Sequence, residues 1–122
     1  MLGGRRPEGN AINKPAPEQA LDRLFAVIES RRTADPEVSH TAKLFQKGRK
    51  KIAQKLGEEA IEVVIDAVRG DRERVIAESA YLMYHLLVLW ADAGIAPAEV
   101  WTELARREGI SGIAEKRARA KE

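Results

Sequence analysis

The chain has 122 residues, with 21 Lys and Arg against 19 Asp and Glu and a net charge of +2 at pH 7. That length fits one domain able to bury a core of its own, and so balanced a charge does not point to nucleic acid as a partner. With no cysteine and two histidines, the composition excludes disulfides, thiol chemistry, cysteine-held zinc and histidine-rich metal sites.

Residues 1–16 carry Gly3, Gly4, Gly9, Pro7 and Pro15 with no apolar run, and read as a disordered leader rather than a signal peptide. No stretch reaches the roughly 18 apolar residues that a membrane helix needs. The expectation is a cytoplasmic protein with no membrane partner. Pro17 opens a first helix, where its missing N–H costs nothing. Leu21, Leu24, Phe25 and Ile28 form its apolar stripe, and Ser30-Arg31-Arg32 ends it. After a loop around Asp35-Pro36, Ser39 caps a short helix through Phe45. Gly48 separates that helix from a long one, Arg49 to Arg69, which Gly70 closes in a left-handed cap.

Asp71 caps the next helix. From Ala80 to Ala91 its sole ionisable residue is His85, if the tyrosines are counted as apolar. A helix apolar all round must be buried all round, here by the other helices and a second subunit. Gly94 breaks it, and Pro97 starts another over Ala98 to Arg107, with Val100, Trp101 and Leu104 facing inward. Residues 110–122 form a basic tail, either weakly helical or disordered. No segment shows strand alternation. The fold class is therefore all-α, a bundle of four to five helices over residues 17–109, completed as a homodimer.

The long helix carries an anomaly. Its apolar positions Ile52, Leu56, Ala60, Val63 and Ala67 share one face, and Glu59, Glu62 and Asp66 run along the border of that face. Ionised groups there are costly unless paired or bound to a cation. Short connections make this helix and the next antiparallel neighbours, so Glu59 and Glu62 can converge with Glu78 across one groove. Oxygen-only ligation suits a hard cation, Mg²⁺ or Mn²⁺. The plain alternative is a solvated acidic edge bridged to Lys51 and Lys55. Lys43, Lys47, Lys50, Lys51 and Lys55 precede the acids, as a polyphosphate site would need, although a solvated face accounts for Lys50 alone. His85 reads as a general base, a phosphate contact or a core histidine with one satisfied hydrogen bond.

Ser39-His40-Thr41-Ala42-Lys43-Leu44, Lys47-Gly48, the run Lys51-Ile52-Ala53-Gln54-Lys55-Leu56-Gly57-Glu58-Glu59-Ala60-Ile61-Glu62 and the run Leu82-Met83-Tyr84-His85-Leu86-Leu87-Val88-Leu89 closely resemble the phosphoribosyl-ATP pyrophosphohydrolases of histidine biosynthesis. These belong to the all-α NTP pyrophosphatase group with the MazG-like proteins. The resemblance covers about Leu21 to Gly109. It implies Mg²⁺-dependent hydrolysis of phosphoribosyl-ATP to phosphoribosyl-AMP and pyrophosphate. It also implies that Glu59, Glu62 and Glu78 hold metal, that Glu58 is a further ligand or positions water, and that His85 belongs to the catalytic set. Lys43, Lys47, Lys51 and Lys55 would bind substrate phosphates. The family's second acidic pair is E-x-x-D, and here Glu78 is followed at the aspartate position by Tyr81. A neutral phenol is a poor Mg²⁺ ligand. That departure keeps a nucleotide-binding paralogue with little hydrolysis open beside the enzyme, as are a house-cleaning NTP pyrophosphatase and a helical interaction module.

Overall fold

A computed structural model describes residues 16–108, 110 and 112–121. The expected leader lies outside them except for Ala16, as does Gly109. Among the described residues there are six α-helices and no strand. A 3-10 turn over Pro17–Gln19 leads into α1 (Ala20–Ser30). Then come α2 (His40–Lys47), α3 (Arg49–Arg69), α4 (Arg72–Ala93), α5 (Pro97–Arg107) and α6 (Gly112–Lys121).

Local chemistry sets these boundaries. The Ser39 hydroxyl accepts a hydrogen bond from the Ala42 N–H at the start of α2, and the Asp71 carboxylate accepts one from the Arg74 N–H at the start of α4. Both take up a donor that the first helical turn leaves without a partner. Gly48, at φ 95° and ψ 177°, lets the chain pass from α2 into α3 through a conformation essentially confined to glycine. Gly70 caps α3 at φ 75°, so the chain reverses within two residues.

The helices α3 and α4 form an antiparallel hairpin, the most extensive helix contact in the chain. Its cross-contacts run in opposite order on the two helices. Arg49 pairs with Asp92, Glu59 lies beside Glu78, and Asp66 meets Arg74. On one end of this hairpin sits the core, where Ile28, Leu44, Ile52, Leu87, Val88 and Ala91 are buried, with Leu21, Leu24, Phe25, Phe45 and Trp90 packed around them. Ala42 joins them from α2. Arg32 ties the α1 exit to this core. It donates to the Ala91 carbonyl, pairs with Glu29 and lies 4.8 Å over the Phe45 ring. Trp101 docks α5 edge-on against Trp90.

Two expectations about packing change. Leu104, read as facing inward, is exposed, whereas Pro97 is buried and Val100 and Trp101 are half-buried. The Ala80–Ala91 segment, expected to be covered by the other helices together with a second subunit, leaves Ala80, Tyr81 and Met83 exposed in the single chain. The buried line of α3 is also displaced from the apolar stripe. Its buried side chains are Ile52, Glu59 and Asp66, while Ala67 is exposed. Those three positions are seven residues apart, so they drift only about 20° per step and share one face. Glu59 and Asp66 therefore run down the middle of the buried face, not its border, while Glu62 is exposed.

Candidate active site

The site is built on the half of the α3–α4 hairpin away from the apolar core. Glu59 projects from α3 toward α4 and is 8% exposed, and its Oε1 has no hydrogen-bond partner among the described residues. Burial pushes its pKa up, and the adjacent Glu78 carboxyl pushes it further. Two carboxyls this close favour sharing a proton over carrying two charges. Lys55 opposes the rise and Glu62 adds to it.

Behind this pair, Asp66 is 2% exposed with Oδ2 unpartnered, one turn of α3 before the Gly70 cap. The Arg74 guanidinium lies between the two helices. Its Nε is 3.5 Å from Asp66 Oδ1, and one terminal nitrogen is 3.6 Å from Glu78 Oε2. An acid chain thus runs from Asp66 through Arg74 and Glu78 to Glu59. Neither Asp66 nor Arg74 was singled out as a site residue by the sequence. The available signals were faint: Asp66 follows Glu59 by seven residues, and Arg74 precedes Glu78 by four.

The other residues expected at the site divide. Glu58 is exposed, accepts from Gln54 Nε2 at 2.8 Å and pairs with Lys55 at 3.5 Å. Those contacts hold its carboxyl below the usual range, the Gln54 hydrogen bond most of all. It matches the plain reading of a solvated, lysine-bridged acid, which Glu59 does not. Glu62 is exposed, close enough to Glu59 to act on its charge. Among the described residues, no three His, Asp or Glu side chains come together to hold a metal ion. The structure brings Glu59 and Glu78 together and leaves Glu62 outside the pair. Lys43, Lys47 and Lys50 are exposed, and Lys51 and Lys55 are half-buried.

Next to the acids stands an aromatic cluster. His85 is fully buried with neither ring nitrogen hydrogen-bonded. It is therefore not the core histidine with one satisfied bond. Burial, then the charges of His40 and Lys55, lower its pKa, so the ring is neutral at pH 7. Tyr81 and Tyr84 present their rings to it at 4.7 and 5.0 Å between centroids, both near edge-on. Tyr84 is anchored by a 2.5 Å hydroxyl–hydroxyl contact with Thr41 and stacked against His40. Tyr81 stacks nearly parallel on Tyr84 and is 41% exposed. The phenol at the expected aspartate position thus belongs to the aromatic cluster. The next acid along α4, Asp92, is held by Arg49 at the far end of the hairpin, away from Glu78.

The phosphoribosyl-ATP pyrophosphohydrolase family profile matches residues 21–108. The chain belongs to this family. It is 66% identical over 99 residues to the phosphoribosyl-ATP pyrophosphatase of Azospirillum brasilense, covering 81% of this chain and 89% of that protein. The protein of the same name from Gluconobacter oxydans is 59% identical over 105 residues, covering 86% and 79%. That from Rhodospirillum rubrum is 57% identical over 111 residues, covering 91% and 95%. The family match spans α1 to α5 and so contains Glu59, Glu62, Glu78, Tyr81 and His85. No single helix among the described residues is long and apolar enough to cross a membrane.

Proposed function

We propose that the chain hydrolyses phosphoribosyl-ATP to phosphoribosyl-AMP and pyrophosphate in histidine biosynthesis, and that it does so at the Glu59–Glu78 pair as a cytoplasmic homodimer using Mg²⁺, with Mn²⁺ as a substitute. The observation that carries the site is the Glu59 carboxyl, buried beside a second carboxyl with one oxygen unpartnered. A buried carboxyl beside a second, partly buried one costs stability unless protonated or bridged. Such a pair is a suitable donor set for a hard divalent cation, with Glu62 near enough to join after a rotamer change. When bound, the cation supplies Lewis acidity at the phosphates and a water of lowered pKa.

The chain's own residues account for the rest. Lys43, Lys47, Lys51 and Lys55 precede the acids on α2 and α3 and would neutralise triphosphate charge. Glu58 stays anionic near neutral pH and reaches solvent, which suits it to orient a water. His85, sealed and neutral, shapes the wall against which Tyr81 and Tyr84 pack.

Pyrophosphate release from phosphoribosyl-ATP with Mg²⁺ tests this reading. The protein is expected to turn over, and Glu59→Gln to lose activity; wild-type turnover no higher than that of the variant would overturn the assignment. Comparison with free NTPs tests the substrate, since faster turnover of a free NTP would replace it. One observation favours a second reading, nucleotide binding with weak hydrolysis: the site has a phenol, Tyr81, where the second acidic pair of the family pattern has its aspartate.

A further inference from the structure

The acid row of α3 and α4 is not left without positive charge. We infer that Arg74 is a built-in counter-cation of this site, holding Glu78 and Asp66 together until a divalent cation takes Glu78 from it. The inference rests on the reading that the Glu59–Glu78 pair receives such a cation.

The geometry assigns this role to Arg74 alone among the described cations. Its guanidinium spans two helices, 3.5 Å from Asp66 on α3 and 3.6 Å from Glu78 on α4. Asp66 is buried, with one oxygen lacking a hydrogen-bond partner, so Arg74 is the cation within reach of its other oxygen. Glu78 is the carboxylate shared between Arg74 and Glu59. Both ion-pair distances exceed those of well-formed charged hydrogen bonds, about 2.7–2.9 Å. The Arg74 side chain is also 56% exposed. It is close enough to neutralise and loose enough to leave. Glu59 and Glu78 would hold a cation, which would compete with the guanidinium for Glu78, and Arg74 would keep its contact with Asp66. Arg74 is thus a positioning residue that sets the affinity of the site for a cation without being a ligand.

Direct cation binding tests this without recourse to catalysis. In the full-length, metal-free protein, free Mn²⁺ is counted by electron paramagnetic resonance during titration of wild type, Arg74→Gln and Arg74→Lys. Arg74→Gln is expected to bind Mn²⁺ about two- to fivefold more tightly, the scale of an exposed ion pair, and Arg74→Lys to stay near wild type. In ¹⁵N-labelled wild type, the Arg74 Nε–Hε resonance should move saturably with Mg²⁺. That measurement decides the matter even if the glutamine variant misfolds. Equal or weaker binding by Arg74→Gln, or an Arg74 resonance unmoved by saturating Mg²⁺, would overturn the inference alone. No saturable binding in any of the three proteins would overturn the cation site, and the role of Arg74 with it.

Discussion

The Glu59 carboxyl on α3 and the Glu78 carboxyl on α4 stand side by side, and the proximity raises the pKa of Glu59 on top of its burial. A helix pair that served only stability would place a hydrophobe at one of these positions, because replacing one carboxyl removes both the desolvation and the repulsion. The hairpin keeps both acids facing each other, and that arrangement sets the behaviour of the metal-free protein.

The first expectation concerns pH. A carboxyl whose folded pKa lies above its unfolded value of 4.5 binds more protons when native, so its contribution is fully present below 4.5 and fades as pH rises through the folded pKa. Glu59→Gln mimics the protonated form at every pH. Without metal, its melting temperature should exceed that of wild type at pH 7 by about 2–5 °C, on the scale of a fraction of a kcal/mol to 1 kcal/mol in a domain of this size. The difference should vanish near pH 4. Thermal unfolding in chelator across pH 4–8 measures it, and a difference that does not change with pH would rule out the shared-proton pair.

Tyr81 gives the second. Its ring contacts are with Tyr84 and His85, and its hydroxyl makes no hydrogen bond to a described residue. Tyr81→Phe should therefore change turnover less than about twofold, since surface changes without a partner are near neutral. Tyr81→Asp restores the carboxylate of the E-x-x-D pattern beside Glu78. Because ligand charge count tunes cation affinity, the Mg²⁺ concentration for half-maximal pyrophosphate release should fall about tenfold, on the scale of changes around a metal site. An unchanged Mg²⁺ dependence would show that Tyr81 limits nothing.

Much of this was legible in the sequence, for a physical reason that differs between fold and site. Ser39, Gly48, Gly70, Asp71, Gly94 and Pro97 act on backbone groups a few residues away, so the helix boundaries follow from local chemistry. The meeting of Glu59 with Glu78 follows from one further step, the short Gly70-Asp71 connection that makes α3 and α4 antiparallel. What stayed hidden depends on how α3 is rotated against α4. A wheel centred on Ile52, Leu56, Ala60, Val63 and Ala67 places the acids at the rim. Packing turns the helix so that Ile52, Glu59 and Asp66 face α4. Propensity and periodicity do not fix that rotation, and so Asp66 and Arg74 were not recognisable as parts of one network. The same rotation leaves Glu62 at the surface beside the pair, and periodicity no more fixes how α5 docks, where Leu104 is exposed.

The third expectation runs opposite to the first. His85 is fully buried and uncharged, with its pKa lowered chiefly by desolvation. Below its unfolded value of 6.5 the unfolded chain takes up a proton that the native ring refuses. Its contribution is thus complete above pH 6.5 and lost as pH falls through the folded pKa. His85→Leu removes the acid sensitivity and the two unpartnered ring nitrogens together. The variant should lose less stability than wild type between pH 7 and pH 5, and match or exceed it at pH 5. Urea midpoints at the two pH values measure this, and an equal loss in both proteins would show that His85 is not a source of acid sensitivity.

The last expectation is the homodimer. On α3, Ile61, Val64, Ile65 and Val68 are 59%, 57%, 38% and 83% exposed, and on α4 Ile76 and Met83 are 55% and 38% exposed. Positions 61, 64, 65 and 68 fall at helical spacing, as do Ile76, the exposed Ala80 and Met83, so each helix of the hairpin carries an apolar stripe turned away from its own core. Contiguous apolar patches of this kind mark interaction surfaces on soluble proteins. In a twofold dimer each residue is buried twice. Covering an isoleucine side chain contributes about 1.5–3 kcal/mol, and an unpaired glutamate in its place adds a desolvation cost. Ile61→Glu should therefore weaken the dimer by about 100-fold or more, counting both copies at about 1.4 kcal/mol per decade. Sedimentation velocity at micromolar concentration is expected to show a dimer for wild type and a monomer for the variant. Because Ile61 lies outside the core of its own chain, the circular dichroism of Ile61→Glu should remain that of a folded helical protein. A wild type that sediments as a monomer over the same range would mean that these stripes are not covered by a second copy.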